Sequence, residues 1–234
     1  MDELIEKFNY DMSIKLRNFS KYVRRQDLSR FLARYELFKK VKNIKGSIIE
    51  CGVHHGGGLM TWAKLSSALE PYSIHRKVLG FDTFEGFENI HKNDLSDNFN
   101  PNLKKGGFDL KYDGLKELKM SIDLFDENRY LNQFEKVELI KGDALKTIPK
   151  YIEDNSHLII SLLFLDFDLY EPTRVALEHF LPLIPKGGII AFDEVNNKFW
   201  PGETKAFLEK IGNINSYKLE KFTFDPNISY IILN

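Results

Sequence analysis

Short apolar runs alternate with segments of helical periodicity along the chain after Gly46, and this alternation restricts the fold more than any other feature. The runs read SIIECG, KVLGFD, VELIKG, LIISLLFLDFD and GGIIAFDE. A strand that is apolar on both sides is buried on both faces, and strands that each lead into a helix form a parallel sheet covered by helices. We therefore predict an α/β fold built on a doubly wound, mostly parallel sheet.

The intervening segments and the end of the chain complete this prediction. Apolar periodicity predicts helices from Leu59 to Leu69, around Tyr151 and from Pro172 to Leu183. The last segments, YKLEKFTF and ISYIILN, are separated by the turn signal Asp225-Pro226-Asn227. Two short strands joined by such a turn pair antiparallel, so we expect a C-terminal hairpin on one edge of the sheet.

The N-terminal region has a different pattern. From Leu4 to Val41 the apolar residues recur at intervals of three and four, which predicts two amphipathic helices. The apolar face of this stretch carries Leu28, Phe31, Leu32, Tyr35 and Phe38. With 234 residues, the chain is long enough for one sizeable core. We expect one domain over residues 1–234, with a helical extension over 1–44 and an α/β core over 45–234.

One connection inside the predicted core is unusually long. The segment 85–112 is rich in Asn, Asp, Lys and Gly and has little periodicity. Long irregular connections in compact domains are either functional lids or disordered. Because this segment leaves the sheet at the end of a strand, we favour a lid on the substrate side.

Composition excludes several classes of protein. Lys and Arg number 33 against 34 Asp and Glu, so the chain has no global positive field with which to bind nucleic acid or an anionic membrane. The only cysteine, Cys51, allows no intramolecular disulfide and fits a reducing compartment. The longest apolar stretch, Leu158 to Leu165, is far shorter than the ~20 residues that cross a bilayer, and the acidic start MDELIEKFNYD is unlike a signal peptide. We expect a cytoplasmic location.

Every predicted parallel strand has a carboxylate at or just beyond its end. They are Glu50, Asp82, Asp143, the pair Asp166 and Asp168, and the pair Asp193 and Glu194. In doubly wound sheets, ligands bind outside the carboxyl ends of the strands, near the topological switch point. A single Asp at a strand end is more typical of a helix cap or a turn. Five consecutive strand ends, however, favour a shared ligand site.

The glycines after the first strand indicate how a ligand approaches. Gly52, Gly56 and Gly57 allow a tight turn and expose the amides of the next helix, but their spacing differs from the GxGxxG dinucleotide motif. Glu50 would repel a pyrophosphate and favour a ligand that carries an ammonium group. Asp82 is placed to accept hydrogen bonds from a ribose, and Asp143 from an adenine amino group.

Clustered carboxylates repel one another by on the order of 1 kcal/mol per close pair, so the cluster calls for a cation or for raised pKa values. S-adenosylmethionine supplies an ammonium and a sulfonium. Mg²⁺ is a second candidate, because Asp166, Asp193 and Glu194 are hard oxygen ligands from neighbouring strand ends.

Other candidate residues have ordinary interpretations beside the functional ones. Asp168, His54 and His55 are alternative proton acceptors, although histidines in turns are more often simply exposed to solvent. Cys51 is interpreted as small core packing rather than as a nucleophile. Phe84 is the best candidate to flank an adenine. Trp200 either lines an acceptor pocket or anchors a loop by its burial.

Four strings are specific enough to name a family. GSIIECGVHHGGGLM, VLGFDTFEGF, LDFDLYEPTRVAL and GGIIAFDEVNNKFWPGET resemble the macrocin and mycinamicin sugar O-methyltransferases, within the class I S-adenosylmethionine-dependent methyltransferases. The resemblance runs from about Arg34 to Gly212. It implies a Rossmann-like, seven-stranded sheet with a reversed terminal hairpin, methyl transfer to a sugar hydroxyl with release of S-adenosylhomocysteine, and Mg²⁺ that holds the acceptor.

The resemblance also assigns roles to residues of this chain. It implies a methionine-binding turn at Glu50, Gly52 and Gly56, a ribose contact at Asp82, and metal ligands at Asp166, Asp193 and Glu194. The full set expected at the cofactor is Glu50, Gly52, Val53, Gly56, Gly57, Asp82, Thr83, Phe84, Gly142, Asp143, Ala144 and Asp166, and the set expected at the acceptor is Tyr170, Asn196 and Trp200.

The predicted function is therefore an S-adenosylmethionine-dependent, Mg²⁺-dependent O-methyltransferase that acts on a sugar, a sugar nucleotide or a glycosylated small molecule. One alternative is a metal-independent methyltransferase with another small-molecule acceptor. A second is an NAD-dependent sugar-nucleotide dehydrogenase or epimerase, against which the missing GxGxxG motif and Glu50 count. A third is a nucleotide- or sugar-binding module without catalysis, which the intact carboxylate set disfavours. The resemblance and the N-terminal helices favour a homo-oligomer.

Overall fold

In the described part of this computed structural model, two α-helices precede the sheet, and the second of them packs on one of its faces. The structure describes residue 7 and residues 10–234, so residues 4–6, 8 and 9 of the predicted N-terminal helices lie outside the described residues. Helix α1 spans Met12–Arg17 and helix α2 spans Arg25–Val41. One stripe of α2 is buried against the core, with Ala33, Leu37, Phe38 and Val41 fully covered.

The sheet confirms the predicted architecture. Its strands are β1 (Ser47–Cys51), β2 (Val78–Asp82), β3 (Val137–Lys141), β4 (Ile160–Leu165), β5 (Ile189–Phe192), β6 (Glu220–Lys221) and β7 (Ser229–Ile232). They form one seven-stranded sheet in the order β3-β2-β1-β4-β5-β7-β6. Strands β1 to β5 are parallel, and β7 pairs antiparallel with β5 and β6. The strand order reverses between β1 and β4, and the carboxyl ends of these two strands are where ligands bind in such sheets.

Helices cover both faces of the sheet. The core helices are α3 (Gly57–Leu69), α4 (Gly114–Glu127), α5 (Ala144–Asp154), α6 (Tyr170–Phe180) and α7 (Pro201–Ile211). Helices α2, α3 and α4 pack on one face, and α5, α6 and α7 pack on the other. Successive residues of a strand point to opposite faces, so Ile48 joins the first cluster and Ile49 the second.

Three helices differ from the sequence prediction, and one of them, α7, was not predicted at all. Helix α6 begins two residues before Pro172 and ends at Phe180, because Pro182 falls in a separate 3-10 turn over Leu181–Leu183. Helix α4 was likewise not among the predicted helices. Asp113 caps it by accepting a hydrogen bond from the N–H of Lys116, and it buries Leu118.

The segment 85–112, which the sequence predicts to be a lid and which we call the lid below, contains no strand and no α-helix. It holds one 3-10 turn, Lys92–Asp94. Its aromatic residues Phe87 and Phe108 contact each other and Trp200, with ring centroids 5.5–5.8 Å apart. The lid therefore packs on the loop that follows β5. Within the described part of the chain, no helix has the length and apolar character needed to span a membrane.

Candidate active site

A cavity of about 940 Å³ opens at the carboxyl ends of the parallel strands. Its walls come from α2, the turn after β1, the lid, and the loops that follow β2, β3, β4 and β5. This volume lies at the upper end of the usual range for small-molecule sites, roughly 300–1,000 Å³. The cavity is large enough for a nucleoside-sized cofactor together with a second small molecule.

The turn after β1 depends on its glycines for two separate reasons. Gly52 has φ +90°, and a Cβ there would overlap the carbonyl oxygen of Asp166. Gly56 has φ +83°, and a Cβ there would overlap the side chain of Leu118. Both positions need glycine because of the left-handed backbone and the close approach. Gly57, by contrast, has open space beside it at the start of α3.

Glu50 is buried in the cavity wall and paired with a residue of α2. Its Oε1 atom lies 3.2 Å from Arg34 Nη2, and both side chains are less than a tenth exposed. Burial raises the pKa of Glu50, and the Arg34 charge opposes that effect. The second oxygen, Oε2, has no hydrogen-bond partner. Glu50 therefore has one oxygen neutralised by Arg34 and a buried second oxygen without a hydrogen-bond partner, while the neighbouring Trp62 side chain also lowers its pKa.

Asp82 organises the loops around the cavity. Its Oδ2 accepts hydrogen bonds from the N–H groups of Val53 and His54, at 2.7 and 2.8 Å. Its Oδ1 accepts one from the N–H of Phe84 at 2.7 Å. The carboxylate thus joins the turn after β1 to the start of the lid, and Oδ1 keeps one acceptor position for a ribose hydroxyl.

Most of the predicted cofactor residues line the cavity. They are Glu50, Gly52, Val53, Gly57, Asp82, Thr83, Phe84, Gly142, Asp143, Ala144 and Asp166. Gly56 is not in the wall, since it packs on Leu118 instead. Asp143 also caps α5 by accepting a hydrogen bond from the N–H of Leu145 at 3.0 Å, so the ordinary interpretation of a strand-end Asp holds for it as well.

Four carboxylates meet at the ends of β4 and β5. Burial, Asp193 and Asp168 raise the pKa of Asp166, and burial, Glu194 and Asp193 raise the pKa of Asp168. Burial and Asp193 raise the pKa of Glu194 to about 7. Mutual repulsion in a poorly hydrated site favours protonation or a bound cation. The predicted carboxylate cluster is thus present, and it carries excess negative charge.

Arg30 of α2 supplies a cation to this cluster. Its Nη2 atom lies 2.6 Å from Asp193 Oδ1 and 3.8 Å from Asp166 Oδ2. Burial lowers the pKa of Arg30, but the carboxylates outweigh that effect and raise it. Arg34 also lowers the pKa of Asp166, yet burial and mutual repulsion still raise the pKa values of Asp166, Asp168 and Glu194 with both guanidinium groups in place.

The donor set fits a divalent cation in chemistry but is not assembled as a coordination sphere. Asp166, Asp193 and Glu194 are hard oxygen donors of the type that Mg²⁺ prefers. Among the residues that the structure describes, however, no three His, Cys, Asp or Glu side chains converge as a metal site. Arg30 holds one oxygen of Asp193, and Asn197 donates a hydrogen bond to Glu194.

A buried glutamate of α7 binds the backbone of one residue of the carboxylate cluster. Glu203 is fully buried, and its Oε1 accepts a hydrogen bond from the N–H of Glu194 at 2.8 Å. Burial raises its pKa well above the usual range. Sequence analysis did not identify this residue, because a Glu in the first turn of a helix is most often a solvated end residue.

The two histidines lie under the lid. Burial and the neighbouring His55 lower the pKa of His54, whose ring contacts Phe108 of the lid. The backbone of His54 has φ +50°. His55 shares a 2.6 Å hydrogen bond between its Nδ1 and the Tyr112 hydroxyl. Both histidines line the cavity, on the side of the lid.

The structure separates the three predicted acceptor residues. Trp200 lines the cavity, whereas Tyr170 and Asn196 are not in its wall. The ring of Tyr170 stacks on His91, and its hydroxyl donates a hydrogen bond to Glu209 of α7. The geometry therefore supports an acceptor contact only for Trp200.

Sequence interpretation missed Arg30 and Arg34. Both precede the buried Phe38 at intervals of four, so they continue the stripe of α2 that faces the core. An arginine in line with a buried stripe is a signal of a buried partner, and here the partners are Asp193 and Glu50.

Comparisons with known proteins identify relatives of this chain. A model of the family described as macrocin-O-methyltransferase (TylF) matches residues 24–209. The solved structure of CalS11, a calicheamicin methyltransferase, is 31% identical, with a TM-score of 0.93 over 99% of this chain and 89% of that chain. An apo structure of CalS11, described as a TDP-rhamnose 3'-O-methyltransferase, is 29% identical, with a TM-score of 0.82 over 99% and 90% of the two chains.

A more distant structure shares the fold. The O-methyltransferase NovP is 20% identical, with a TM-score of 0.63 over 88% of this chain and 80% of that chain. No curated protein matches the chain. The family model covers most of the 234 residues and includes the strand ends that form the cavity. This chain therefore belongs to the macrocin O-methyltransferase family, whose members are O-methyltransferases.

Proposed function

We propose that the protein transfers the methyl group of S-adenosylmethionine to a hydroxyl of a sugar or of a sugar-bearing small molecule, and releases S-adenosylhomocysteine. One observation carries this proposal. A single cavity joins the glycine turn after β1 with the carboxylate cluster after β4 and β5. The first half suits a nucleoside that carries an ammonium group, and the second suits a polyhydroxy acceptor. The description of CalS11 as a TDP-rhamnose methyltransferase supports a sugar acceptor.

The cofactor half is built from residues that fit its functional groups. The unpartnered Oε2 of Glu50 accepts a hydrogen bond from the methionine ammonium. We assign the free acceptor position of Asp82 Oδ1 to a ribose hydroxyl. Phe84, held at φ +57° and nearly buried, supplies an apolar surface for the adenine. These are our assignments for the cofactor.

We assign proton transfer to the half of the cavity that binds the sugar. The acceptor oxygen forms a bond to the methyl carbon while the carbon–sulfur bond breaks and its electron pair stays on sulfur. We assign the hydroxyl proton to Asp168, because it lies within the cluster, whereas His54 and His55 contact the lid residues Phe108 and Tyr112. Orientation of the reacting atoms supplies most of the rate enhancement.

Mg²⁺, when bound, would be held by Asp166, Asp193 and Glu194, and it would supply Lewis-acid activation of the acceptor hydroxyl. The contact between Arg30 and Asp193 favours a second candidate, a metal-independent O-methyltransferase in which the guanidinium is the permanent cation of the cluster. The two candidates share the cofactor and the acceptor class, and they differ only in whether turnover requires a metal.

The test begins with the cofactor. Calorimetric titration with S-adenosylhomocysteine, in EDTA and then in Mg²⁺, is expected to show binding in both buffers, with none for NAD. Methyl transfer is then assayed with TDP-rhamnose and with macrocin as acceptors. Activity that EDTA abolishes supports the Mg²⁺ candidate, and activity that persists in EDTA supports the Arg30 candidate. A folded protein that binds NAD but not S-adenosylhomocysteine would overturn the proposal.

The proton acceptor is tested by substitution. Asp168→Asn is expected to reduce turnover by about 10²-fold or more, the usual scale for loss of a general base. Asp97→Asn, an exposed lid residue, is the matched control. His54→Gln and His55→Gln are expected to retain most of the activity. If His54→Gln reduces turnover more than Asp168→Asn does, the assignment to Asp168 is wrong.

A further inference from the structure

Asp94 occupies an unusual place in the lid. It ends the 3-10 turn Lys92–Asp94 and is only 1% exposed, although the surrounding segment lies at the surface. Its Oδ2 accepts a hydrogen bond from the N–H of His91 at 2.8 Å, which closes the turn. Its Oδ1 accepts one from the N–H of Tyr170 at 2.6 Å. One carboxylate therefore binds both the lid and the first residue of α6.

Helix α6 has no cap of its own. The residue before it is Leu169, whose apolar side chain accepts nothing from the helix. The first N–H groups of a helix need an acceptor, which is most often the side chain of the residue just before the helix. Here Asp94, 76 positions earlier in the chain, fills that role. Its carboxylate also lies at the positive end of the helix dipole, which stabilises it there.

Helix α7 also packs against Asp94 and the turn that contains it. A Cβ at Gly202, in the first turn of α7, would overlap Asp94 Oδ1 and lie 2.6 Å from the N atom of Tyr170. Lys205 of α7 donates a hydrogen bond to the carbonyl oxygen of Asn93 at 2.6 Å. Only glycine at position 202 leaves room for the lid turn. The lid and the starts of α6 and α7 thus meet at Asp94.

Tyr170, whose N–H binds Asp94, comes two residues after Asp168 of the carboxylate cluster. Asp168 has φ +62°, a left-handed conformation that costs a non-glycine residue free energy unless its neighbours hold it. The N–H of Tyr170 is the next fixed point along the chain. We propose that Asp94 is a positioning residue that fastens the lid to the start of α6, so that closure of the lid and the orientation of Asp168 are coupled.

The coupling can be tested without a sugar substrate for methyl transfer. If Asp94 caps α6, its loss loosens the lid and the start of α6 together. Asp94→Ala removes both acceptor oxygens. Asp94→Asn keeps one acceptor oxygen and is the conservative variant. Asp97→Ala, an exposed lid aspartate three positions on, is the matched control.

Two measurements report the two sides of the contact. Trypsin cleavage after the exposed Lys104 and Lys105 reports lid opening, and deuterium exchange of the peptide 166–175 reports the start of α6. For Asp94→Ala we expect both rates to rise about five- to tenfold, the scale for loss of a helix cap. Asp94→Asn should show a smaller rise in both, and Asp97→Ala none. Affinity for S-adenosylhomocysteine should stay within about twofold.

Two results would contradict the proposed coupling. Faster cleavage of the lid with unchanged exchange in 166–175 overturns the coupling, and so does an equal effect of Asp97→Ala. If Asp94→Ala does not fold, Asp94→Asn against Asp97→Asn carries the same comparison.

The consequence for turnover rests on the proposed function. With an accepted sugar, Asp94→Ala should lower kcat while the KM for S-adenosylmethionine stays unchanged, and Asp94→Asn should restore most of kcat. Restoration by Asn separates positioning from a general loss of structure. If no sugar is methylated but both lid measurements change as expected, the proposed function fails and the capping contact stands.

Discussion

Arg30 Nη2 lies 2.6 Å from Asp193 Oδ1, and this contact ties the N-terminal helix α2 to the carboxylate cluster at the far end of the sheet. The two residues are 163 positions apart. The same guanidinium lies 3.8 Å from Asp166 Oδ2. The helix that precedes the α/β core is therefore part of the candidate active site, and its arginine occupies a position from which it competes with any metal ion for Asp193.

Removal of Arg30 should strengthen Mg²⁺ binding. In Arg30→Gln, the cluster loses the guanidinium that is ion-paired with Asp193, and the attraction between carboxylates and a divalent ion increases. We expect Mg²⁺ to bind about tenfold more tightly, as measured by calorimetric titration of the complex with S-adenosylhomocysteine. Arg25→Gln, an exposed substitution on the same helix, should leave Mg²⁺ affinity unchanged. Equal affinity in Arg30→Gln and the wild type would show that the guanidinium does not compete.

Arg34→Met should destabilise the protein strongly, because it leaves the Glu50 carboxylate buried without its counter-charge. Loss of one partner of a buried ion pair costs about 3–5 kcal/mol of unfolding free energy, and urea denaturation measures it. The double variant Arg34→Met, Glu50→Gln should recover most of this loss, since no charge then remains buried. A double variant no more stable than Arg34→Met would contradict this account.

Gly52→Ala should abolish binding of S-adenosylhomocysteine. The left-handed backbone alone costs about 1–3 kcal/mol for a non-glycine residue, and the new Cβ also overlaps the carbonyl oxygen of Asp166. Gly212 provides a matched control, because it has φ +75° with open space around it. Gly212→Ala should cost only about 1–2 kcal/mol and leave cofactor affinity intact, as calorimetry and urea denaturation can show. Comparable losses in the two variants would mean that crowding at Gly52 has no role.

Lys136 should make the free energy of unfolding depend on pH in the alkaline range. It is 5% exposed, and burial lowers its pKa to about 8. Its Nζ donates hydrogen bonds to the carbonyl oxygens of Ser73 and Arg76, which a neutral amine can still do. Between pH 8 and about 10.4 the unfolded chain binds more protons at this residue than the folded chain does, so the stability contributed by Lys136 rises with pH over that window.

The comparison is with Lys136→Met, which removes the titration. The free energy of unfolding of the wild type relative to Lys136→Met should increase by on the order of 2–3 kcal/mol between pH 8 and pH 10.5. Denaturation series at several pH values measure the difference. A constant difference across this range would show that Lys136 titrates normally.

The order of elements and the position of the cavity followed from local patterns. Burial on both faces forces the apolar runs of β1, β4 and β5, and parallel strands place their carboxyl ends on one edge. The strand-end residues Asp166 and Asp193 therefore had to come close together. Helices α4 and α7 escaped prediction, although in α4 the buried Leu118, Ile122 and Phe125 recur at helical intervals of four and three.

Contacts between distant segments did not follow from such patterns. The sequence predicted a ribose contact at Asp82, but it did not predict that Asp82 also accepts three backbone hydrogen bonds and joins the turn after β1 to the loop after β2. It predicted Tyr170 as an acceptor contact, whereas the structure turns that hydroxyl toward Glu209. Each outcome depends on which groups packing brings within 3 Å, and local periodicity carries no such information.

The sequence by itself thus determined the sheet, the glycine turn after Gly52 and the row of strand-end carboxylates, because burial, backbone conformation and strand direction are local or periodic properties. Only the tertiary structure decided which charges neutralise one another. Arg30 reaches Asp193, Arg34 reaches Glu50, and Asp94 caps α6, because α2 and the lid fold over the same edge of the sheet. These pairings need surfaces that form only when distant segments pack together.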